Sequence, residues 1–151
     1  MRERFTQEVK DAMKAGDKRK LSTVRLIQAA LKDKDIEARG TGKGQASDED
    51  ILALLQKMIK QRQESAGIYE QAGRAELAQQ EREEADIIAA FLPKQMDEAE
   101  VSAAIQAAIA ETGAASLKDM GKVIGALRRQ YAGRMDFGKV SALVKEALPK
   151  G

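Results

Sequence analysis

The last third of the chain decides the fold: residues 120–148 read MGKVIGALRRQYAGRMDFGKVSALVKEAL. Apolar residues recur in this stretch at intervals of three and four positions, which is the spacing of one face of an α-helix. The corner between the two apolar runs falls at residues 132–136, and Asp136 is a residue type that commonly caps a helix start. The stretch therefore predicts two short amphipathic helices joined by a corner.

The same spacing runs through the rest of the chain, and no segment alternates with the period of two that marks a strand. Capping patterns begin at Ser47 and Asp97, and Pro93 cannot continue a helix. We therefore predict an all-α fold with a first helix that stops near Gly16, a second over about 18–38, a third from Ser47 to near Gly73, a fourth that ends before Pro93, a fifth from Asp97 to Thr112, a sixth capped by Ser116 and a seventh capped by Asp136.

The predicted helices form two groups, which we expect to be two domains. The first four make an N-terminal helical domain over residues 1–93, and the last three make a small C-terminal domain over residues 94–151. A domain of the second size buries only about 60% of its unfolded surface and is marginally stable alone. The residues predicted to face the core include Phe5, Val9, Met13, Val24, Ile27, Leu31, Ile51, Leu55, Ile88, Val123, Leu127, Tyr131, Phe137, Val140, Val144, Ala147 and Leu148.

The composition excludes several kinds of catalytic site. The chain of 151 residues has no histidine and no cysteine. The commonest general base, the cysteine nucleophile and most transition-metal sites are therefore excluded. No serine stands in a Gly-x-Ser-x-Gly or a Ser-x-x-Lys pattern. We predict no catalytic residue, no metal and no cofactor, while chemistry based on Ser, Lys, Asp or Glu stays open.

The sequence has no apolar run of 18 residues, and no apolar region of a signal peptide follows its first residues. The absence of cysteine fits a reducing compartment. From these observations we expect a cytoplasmic protein with no membrane partner.

Charge is segregated along the chain, although the net charge is only +2. Residues 1–43 hold 12 Lys and Arg against 7 Asp and Glu, and residues 118–151 hold 8 against 3. Residues 44–93 are acidic, with 5 Lys and Arg against 10 Asp and Glu. Two basic ends favour an anionic partner. The alternative is that the ends neutralise the acidic middle within the fold.

The basic residues of the last two predicted helices are the main candidate site. Lys122 and Arg129 lie seven positions apart, so they share one helix face, with the small residues Gly125 and Ala126 between them. The start of the last helix adds free backbone N–H groups, which favour anions. The candidate anion-binding residues are Lys122, Arg128, Arg129, Arg134 and Lys139. The alternative is a solvated face, with Arg134 bonded to a helix end.

Three weaker patterns have ordinary explanations. Lys57, Lys60 and Arg62 on the third helix form either a secondary nucleic-acid contact or its solvent side. The acidic residues 81–86 form either a carboxylate site or an ordinary helix face that is solvated or paired with these cations, and we favour the ordinary face. Residues 40–44, GTGKG, lack the spacing and the preceding strand of a phosphate-binding loop, so we predict an interhelical loop.

Several segments in order resemble the GatB/YqeY family over the whole chain. The matching fragments are Leu21-Ser-Thr-Val-Arg25, Met58-Ile-Lys-Gln-Arg62, Ala72-Gly-Arg74, Phe91-Leu-Pro-Lys-Gln95, Met120-Gly-Lys-Val123, and Ala132-Gly-Arg134 with Asp136. One departure is Arg128-Arg-Gln130, where family members often carry a proline between basic residues.

The resemblance implies a four-helix N-terminal unit and a three-helix C-terminal unit like the tail of the tRNA-dependent amidotransferase B subunit. That tail helps to hold tRNA, while the enzyme's carbon–nitrogen ligase chemistry, with glutamine as amide donor, occurs elsewhere. We therefore expect a tRNA-binding accessory module, without catalysis of its own, beside an amidotransferase or an aminoacyl-tRNA synthetase. The alternative is a helical protein–protein adaptor with no nucleic-acid role.

Overall fold

The structure is a computed structural model, and it describes residues 1–148. Over this range the prediction of an all-α fold is confirmed, because no strand is present. None of these helices is both long enough and apolar enough to span a membrane. The helices are α1 (Arg2–Ala15), α2 (Lys18–Gly40), α3 (Asp48–Gln71), α4 (Ala75–Ala89), α5 (Glu98–Thr112), α6 (Met120–Tyr131) and α7 (Phe137–Ala147), with a 3₁₀ turn at Leu117–Asp119.

The chain divides into two compact units, Met1–Leu92 and Pro93–Gly151. Compactness alone does not show that each unit folds independently. The assignment of residues 1–93 and 94–151 to two domains therefore stays a prediction. Positions 149–151 of the predicted C-terminal domain lie outside the described residues.

Side-chain caps set the starts of three helices as the sequence predicts. Ser47 with Asp50 and Asp97 with Glu100 form complete capping boxes, in which each side chain accepts from the other residue's backbone N–H. Asp136 caps α7 with its carboxylate alone, without a reciprocal side-chain bond. Each cap satisfies N–H groups that have no partner within the helix, and a cap of this kind typically stabilises a protein by about 1 kcal/mol.

The predicted cap at Ser116 is wrong. Its side chain makes no capping hydrogen bond, and a 3₁₀ turn separates it from α6. The Asp119 carboxylate instead accepts from the N–H of Ala115 at 2.9 Å. This hydrogen bond, with that of Ser116 and the charge of Lys122, lowers the pKa of Asp119. The N–H groups of Ala115 and Ser116 are thus bonded by the carboxylate of Asp119, which follows them in the sequence, and not by the side chain of Ser116.

The first unit packs around aromatic and aliphatic side chains from all four of its helices and the segment after α4. Phe5 and Phe91 meet edge to face, with ring centroids 5.0 Å apart. Met13 is 58% exposed, so its predicted place in the core is wrong. Ala12, which the sequence also places on the apolar face of this helix, is buried seven positions after Phe5, so both lie on one stripe of α1. Other buried members are Val24, Ile27, Leu31, Ile51, Leu54, Leu55, Met58 and Ile88.

The second unit has a separate aliphatic core. Val140, Val144 and Leu148 follow one another at intervals of four and form its α7 side. Ala147 is exposed, so its predicted inward position is wrong, because Leu148 occupies the buried end of that stripe. The remaining buried residues are Ala104, Ile105, Ala108, Val123, Ala126, Leu127 and Met135.

A two-part ion pair ties α1 to α2 and to the loop before α3. The guanidinium of Arg2 donates to both carboxylate oxygens of Asp35, at 2.7 and 2.8 Å. Arg2 also donates to the carbonyl of Ala46, whose N–H donates to Asp35. The hydrogen bond from Arg2 and that from Ala46 lower the pKa of Asp35 from 3.8 to about 2.

The corner between α6 and α7 holds the segment that leads into α5. Gly133 adopts a positive φ of 76°, which glycine reaches without strain. Its carbonyl accepts from the Gln95 side chain at 2.6 Å, and the Nε of Arg134 donates to the carbonyl of Lys94 at 3.0 Å. The N–H of Met96 donates to the carbonyl of Arg134 at 3.0 Å. Residues 94–96 are thereby fastened within the second unit.

Replacement of Asp35 by asparagine is expected to lower the urea midpoint of unfolding near neutral pH. The folded carboxylate has a depressed pKa, so its contribution is present above about pH 4 and is lost as the pH falls through about 2. The difference between parent and variant should therefore shrink over that window in urea titrations followed by circular dichroism. Asp33→Asn, an exposed change on the same helix, is the control. A difference independent of pH would contradict the assignment.

Replacement of Arg134 by alanine is expected to speed cleavage after Lys94 by a lysine-specific protease. The lost hydrogen bond is worth about 1 kcal/mol, which corresponds to roughly a fivefold larger open population. Cleavage after Lys43, in the loop before α3, serves as an internal reference and should not change. Arg129→Ala is the matched control. Equal cleavage rates after Lys94 in the Arg134 and Arg129 variants would show that Arg134 does not hold this segment.

Candidate nucleic-acid interface

The candidate site is the set of cations around the α6–α7 corner, which we call the tail surface: Lys122, Arg128, Arg129, Arg134 and Lys139. Val123, Ala126 and Leu127 turn one side of α6 into the core, so Lys122 and Arg129 project from the other side. Ala126 is buried, so its predicted place between the two cations on an open face is wrong. Gly125 is half-buried there, with open space where a Cβ would stand.

Lys122 and Arg129 are the most accessible part of the tail surface. The side chain of Lys122 is 72% exposed and lies 4.0 Å from the carboxylate of Asp119. Arg129 is exposed, and within residues 1–148 it has no ion-pair partner. Their α-carbons are separated by about 10 Å along the helix axis. Two long, mobile cations at this separation suit successive contacts with a polyanion.

Arg128 and Arg134 lie over aromatic rings at the corner. The guanidinium of Arg128 is 5.6 Å from the ring centroid of Phe137, which joins the end of α6 to the start of α7. That of Arg134 is 5.8 Å from the ring of Tyr131. Arg134 is half-buried and donates to the carbonyl of Lys94, which lies in the segment before α5 and not at the helix end that the alternative named. It is therefore a poorer candidate for a ligand contact than the other four cations.

The start of α7 is less available to anions than the sequence suggests. The Asp136 carboxylate accepts from the N–H groups of Gly138 at 2.9 Å and Lys139 at 3.5 Å. The prediction of free N–H groups at this helix start is therefore wrong for these two positions, because the capping carboxylate occupies them. The side chain of Lys139 is exposed and extends from the first turn of α7.

One exposed cation near this surface escaped the sequence reasoning. Lys118 lies in the 3₁₀ turn, four positions before Lys122, and is exposed. The signal was the spacing of four, which places two residues on the same side of a helical segment. The aromatic rings of Tyr131 and Phe137 pack against the core and lie under arginines. The surface thus offers cations for a phosphate backbone and no free ring on which a base can stack.

The predicted secondary basic face is only partly present. Lys57 and Lys60 are exposed on α3. Arg62 is not part of an exposed face: its side chain is 14% exposed and its Nε lies 3.3 Å from the carboxylate of Glu84 on α4. Arg62 also donates to the carbonyl of Met58. Its place on the secondary face is therefore wrong, because it joins α3 to α4.

Two carboxylates of the acidic run of α4 lie near cations of neighbouring helices, and only the contact with Arg62 is among the pairs expected from the sequence. Glu84 pairs with Arg62, and Glu83 lies 3.8 Å from the Nε of Arg19 on α2. In the described part of the chain no group of three or more carboxylates is arranged to hold a metal ion. Residues 41–47 form the predicted interhelical loop. Lys43 lines a cleft of about 300 Å³ there, together with Lys57.

Curated relatives of this chain are fungal proteins named altered inheritance of mitochondria protein 41, mitochondrial. The protein of Pyrenophora tritici-repentis is 28% identical over 96% of this chain and 79% of its own length. That of Clavispora lusitaniae is 27% identical over 94% of this chain and 81% of its own length. That of Eremothecium gossypii is 34% identical, but over 57% of this chain and 45% of its own length.

These names correct one prediction from the sequence. The expected cytoplasmic location is wrong on this finding, because the curated relatives are named as mitochondrial proteins. An apolar pattern and a cysteine count do not by themselves identify a compartment.

The family comparison agrees with the resemblance seen in the sequence. A family described as YqeY-like protein matches residues 2–148, which include all seven helices of both units. The resemblance to the GatB/YqeY family is thereby confirmed. The chain belongs to the YqeY-like protein family.

Proposed function

We propose that this protein is a tRNA-binding accessory module that holds tRNA through its tail surface and has no catalysis of its own. The observation that carries the proposal is that most cations of the tail surface have no ion-pair partner in the described residues. Among residues 1–148, only Lys122 of the five tail-surface residues has a carboxylate within 4.0 Å, and that contact is at the limit. Cations left unpaired by the fold are available to phosphates at little desolvation cost.

The family resemblance supplies the identity of the nucleic acid. The C-terminal unit resembles the tail of the amidotransferase B subunit in its sequence fragments, and it has the three helices that this resemblance implies. We propose the same use here, with an amidotransferase or an aminoacyl-tRNA synthetase as the protein that acts on the bound tRNA. Recognition of folded tRNA would then rest on its backbone and shape, with little reading of base identity.

A protein–protein adaptor is the second candidate function. The observation that favours it is the outer side of α5, where Ala103, Ala107 and Ala110 are exposed at intervals of four and three. Small residues in one line allow another helix to approach closely. An adaptor of this kind does not require tRNA binding, so measurement of that binding separates the two functions.

Removal of three tail-surface charges is expected to weaken tRNA binding and its dependence on salt. Log affinity falls as log salt concentration rises, because each phosphate contact releases counterions on binding. The triple variant Lys122→Gln, Arg129→Gln and Lys139→Gln should make this slope shallower by about two. Arg134 is left intact because it holds Lys94.

The matched control for this variant is Lys57→Gln with Lys60→Gln, which should have the smaller effect per charge removed. Binding is measured by fluorescence anisotropy of labelled tRNA over a salt series, with helix content checked by circular dichroism. Parent-like binding by the tail variant, or no binding by the parent, would remove the support for a tRNA-binding tail and favour the adaptor.

The purified chain is expected to form no amidated product from glutamine, ATP and tRNA charged with glutamate or aspartate in place of the matching amide. The physical reason is the absence of histidine and cysteine and of any recognised nucleophile pattern. The assay follows labelled aminoacyl groups by chromatography, with a complete amidotransferase as the positive control. Glutamine-dependent product from this chain alone would refute the accessory role.

A further inference from the structure

Helix α2 carries seven cations, and the fold treats them in two different ways. Three are paired with carboxylates: Arg19 with Glu83 at 3.8 Å, Lys20 with Glu8 at 2.6 Å and Lys34 with Glu37 at 3.4 Å. The first two of these pairs join α2 to α4 and α1. The other four cations have no carboxylate within 4.0 Å in the part of the chain that the structure describes: Lys18, Arg25, Lys32 and Arg39.

These four residues, which we call the α2 stripe, are all exposed and lie at intervals of seven. Seven residues are close to two helical turns, so the four share one face and follow one another at about 10 Å along the axis. The stripe is thus about 30 Å long, which is almost the whole length of α2. The opposite face of the helix is the one that enters the core, through Val24, Ile27, Leu31 and Ala38.

The start of α2 concentrates cations beside a capped helix end. Its first turn holds Lys18, Arg19 and Lys20 and no acidic residue, but the Asp17 carboxylate caps the helix and accepts from the N–H of Lys20 at 3.1 Å. The helix start therefore already has an anion. Arg19 and Lys20 also have carboxylate partners on neighbouring helices, whereas Lys18 has none in the described part of the chain. Within residues 1–148, Lys18 is the one cation of this turn that stays available to a ligand.

Two shallow clefts border the stripe. Lys18 and Arg25 line one of about 320 Å³, together with Leu26. Lys32 and Arg39 line another of about 330 Å³, which reaches to α1. Asp35 also lines the second cleft, but Arg2 and Ala46 already occupy its carboxylate. The cations stand at the edges of these recesses. Besides the two hydrogen bonds from Arg2 and Ala46, the charge of Arg39 contributes to the lowered pKa of Asp35, so Arg39 is partly compensated there. Lys18, Arg25 and Lys32 line the clefts without an ion pair to any of the described residues.

We propose that the α2 stripe binds the sugar–phosphate backbone of a folded RNA. On the proposed function, that RNA is the tRNA held by the tail surface, and the stripe is a second contact in the first unit. Evenly spaced, unpaired cations match a chain of evenly spaced phosphates, and the absence of free aromatic rings on this face limits recognition to backbone and shape.

A protein helix is a poorer match for this face. The line beside the cations consists of Ser22, Leu26, Ala29, Asp33 and Ile36, so two of its five positions are polar. Leu26 and Ile36 are 45% and 55% exposed, but they lie ten residues apart and do not form one apolar patch. An acidic partner helix would have to bury the carboxylate of Asp33, which has no ion-pair partner among residues 1–148.

The test is the salt dependence of tRNA binding by the triple variant Arg25→Gln, Lys32→Gln and Arg39→Gln. We expect the negative slope of log affinity against log salt concentration to become shallower by about two, with helix content unchanged. The matched control removes three exposed charges of the same unit that lie off the stripe: Lys10→Gln, Lys14→Gln and Arg74→Gln. If the stripe variant has the same slope as the parent, or if the control changes the slope by the same amount, the proposal is overturned. A protein would then be the better candidate partner for this face.

Crosslinking provides a second readout that does not depend on net charge. The chain has no cysteine, so a single one can be introduced by Ala29→Cys in the middle of the stripe or by Gln79→Cys on α4. With a thiol-attached photoreactive azide, bound tRNA should crosslink to the first position severalfold more than to the second. Equal crosslinking at both positions would contradict a specific contact on α2.

The tail variant measured in parallel separates the two proposals. Loss of binding in the tail variant with parent-like binding in the α2 variant would leave the proposed function standing and overturn this inference. Loss in the α2 variant alone would support the stripe and contradict the tail surface. Weaker binding in both variants would support both proposals. A parent protein that binds no tRNA would contradict both proposals.

Discussion

Burial of one apolar stripe on each helix is the constraint on which the rest of the structure depends. With three Phe, two Tyr and no Trp, the chain has to build its cores from aliphatic side chains packed between helices. Ile27, Leu55 and Leu127 are fully buried in this way. Replacement of such a side chain by alanine typically costs about 2–5 kcal/mol, so these stripes fix how each helix is turned about its axis. The charged residues, a third of the chain, must then lie on the remaining faces.

Some of these charged side chains form contacts that stabilise the fold, and others extend into solvent without a partner among residues 1–148. Arg2, Arg62 and Arg134 each reach a partner on another element and are half-buried. Arginine suits this role because its planar group donates several hydrogen bonds at once while its stem packs against apolar surface. Arg129 and Lys139, by contrast, extend into solvent. The free cations, and not the total charge, are the ones that can meet a polyanion.

The proposed site is a surface, and that determines what kind of recognition it permits. The cations of the tail surface lie on two short helices joined by a glycine corner, with Phe137 and Tyr131 beneath two of the arginines. Contacts of this kind act over a distance set by the salt concentration and impose few geometric demands. They suit a module that holds a large folded RNA while a separate protein carries out chemistry on it.

The sequence by itself determined the all-α class, most helix ends and most core residues, because helical periodicity and capping are local properties of neighbouring residues. The capping boxes at Ser47 and Asp97 and the stripe of Val140 and Val144 were all predicted in this way. The intervals of seven between Lys18, Arg25, Lys32 and Arg39 are likewise a property of the sequence.

The tertiary structure decided which charges are free, since an ion pair between helices depends on which faces meet. The sequence left Arg62 either on a basic face or paired with the acidic residues 81–86, and the packing of α3 against α4 places it at Glu84. It did not indicate that Arg134 fastens Lys94. The residues involved in these contacts are 22 and 40 positions apart in the chain. No spacing within one helix reports such a meeting, because it is set by the packing of helices around a shared core.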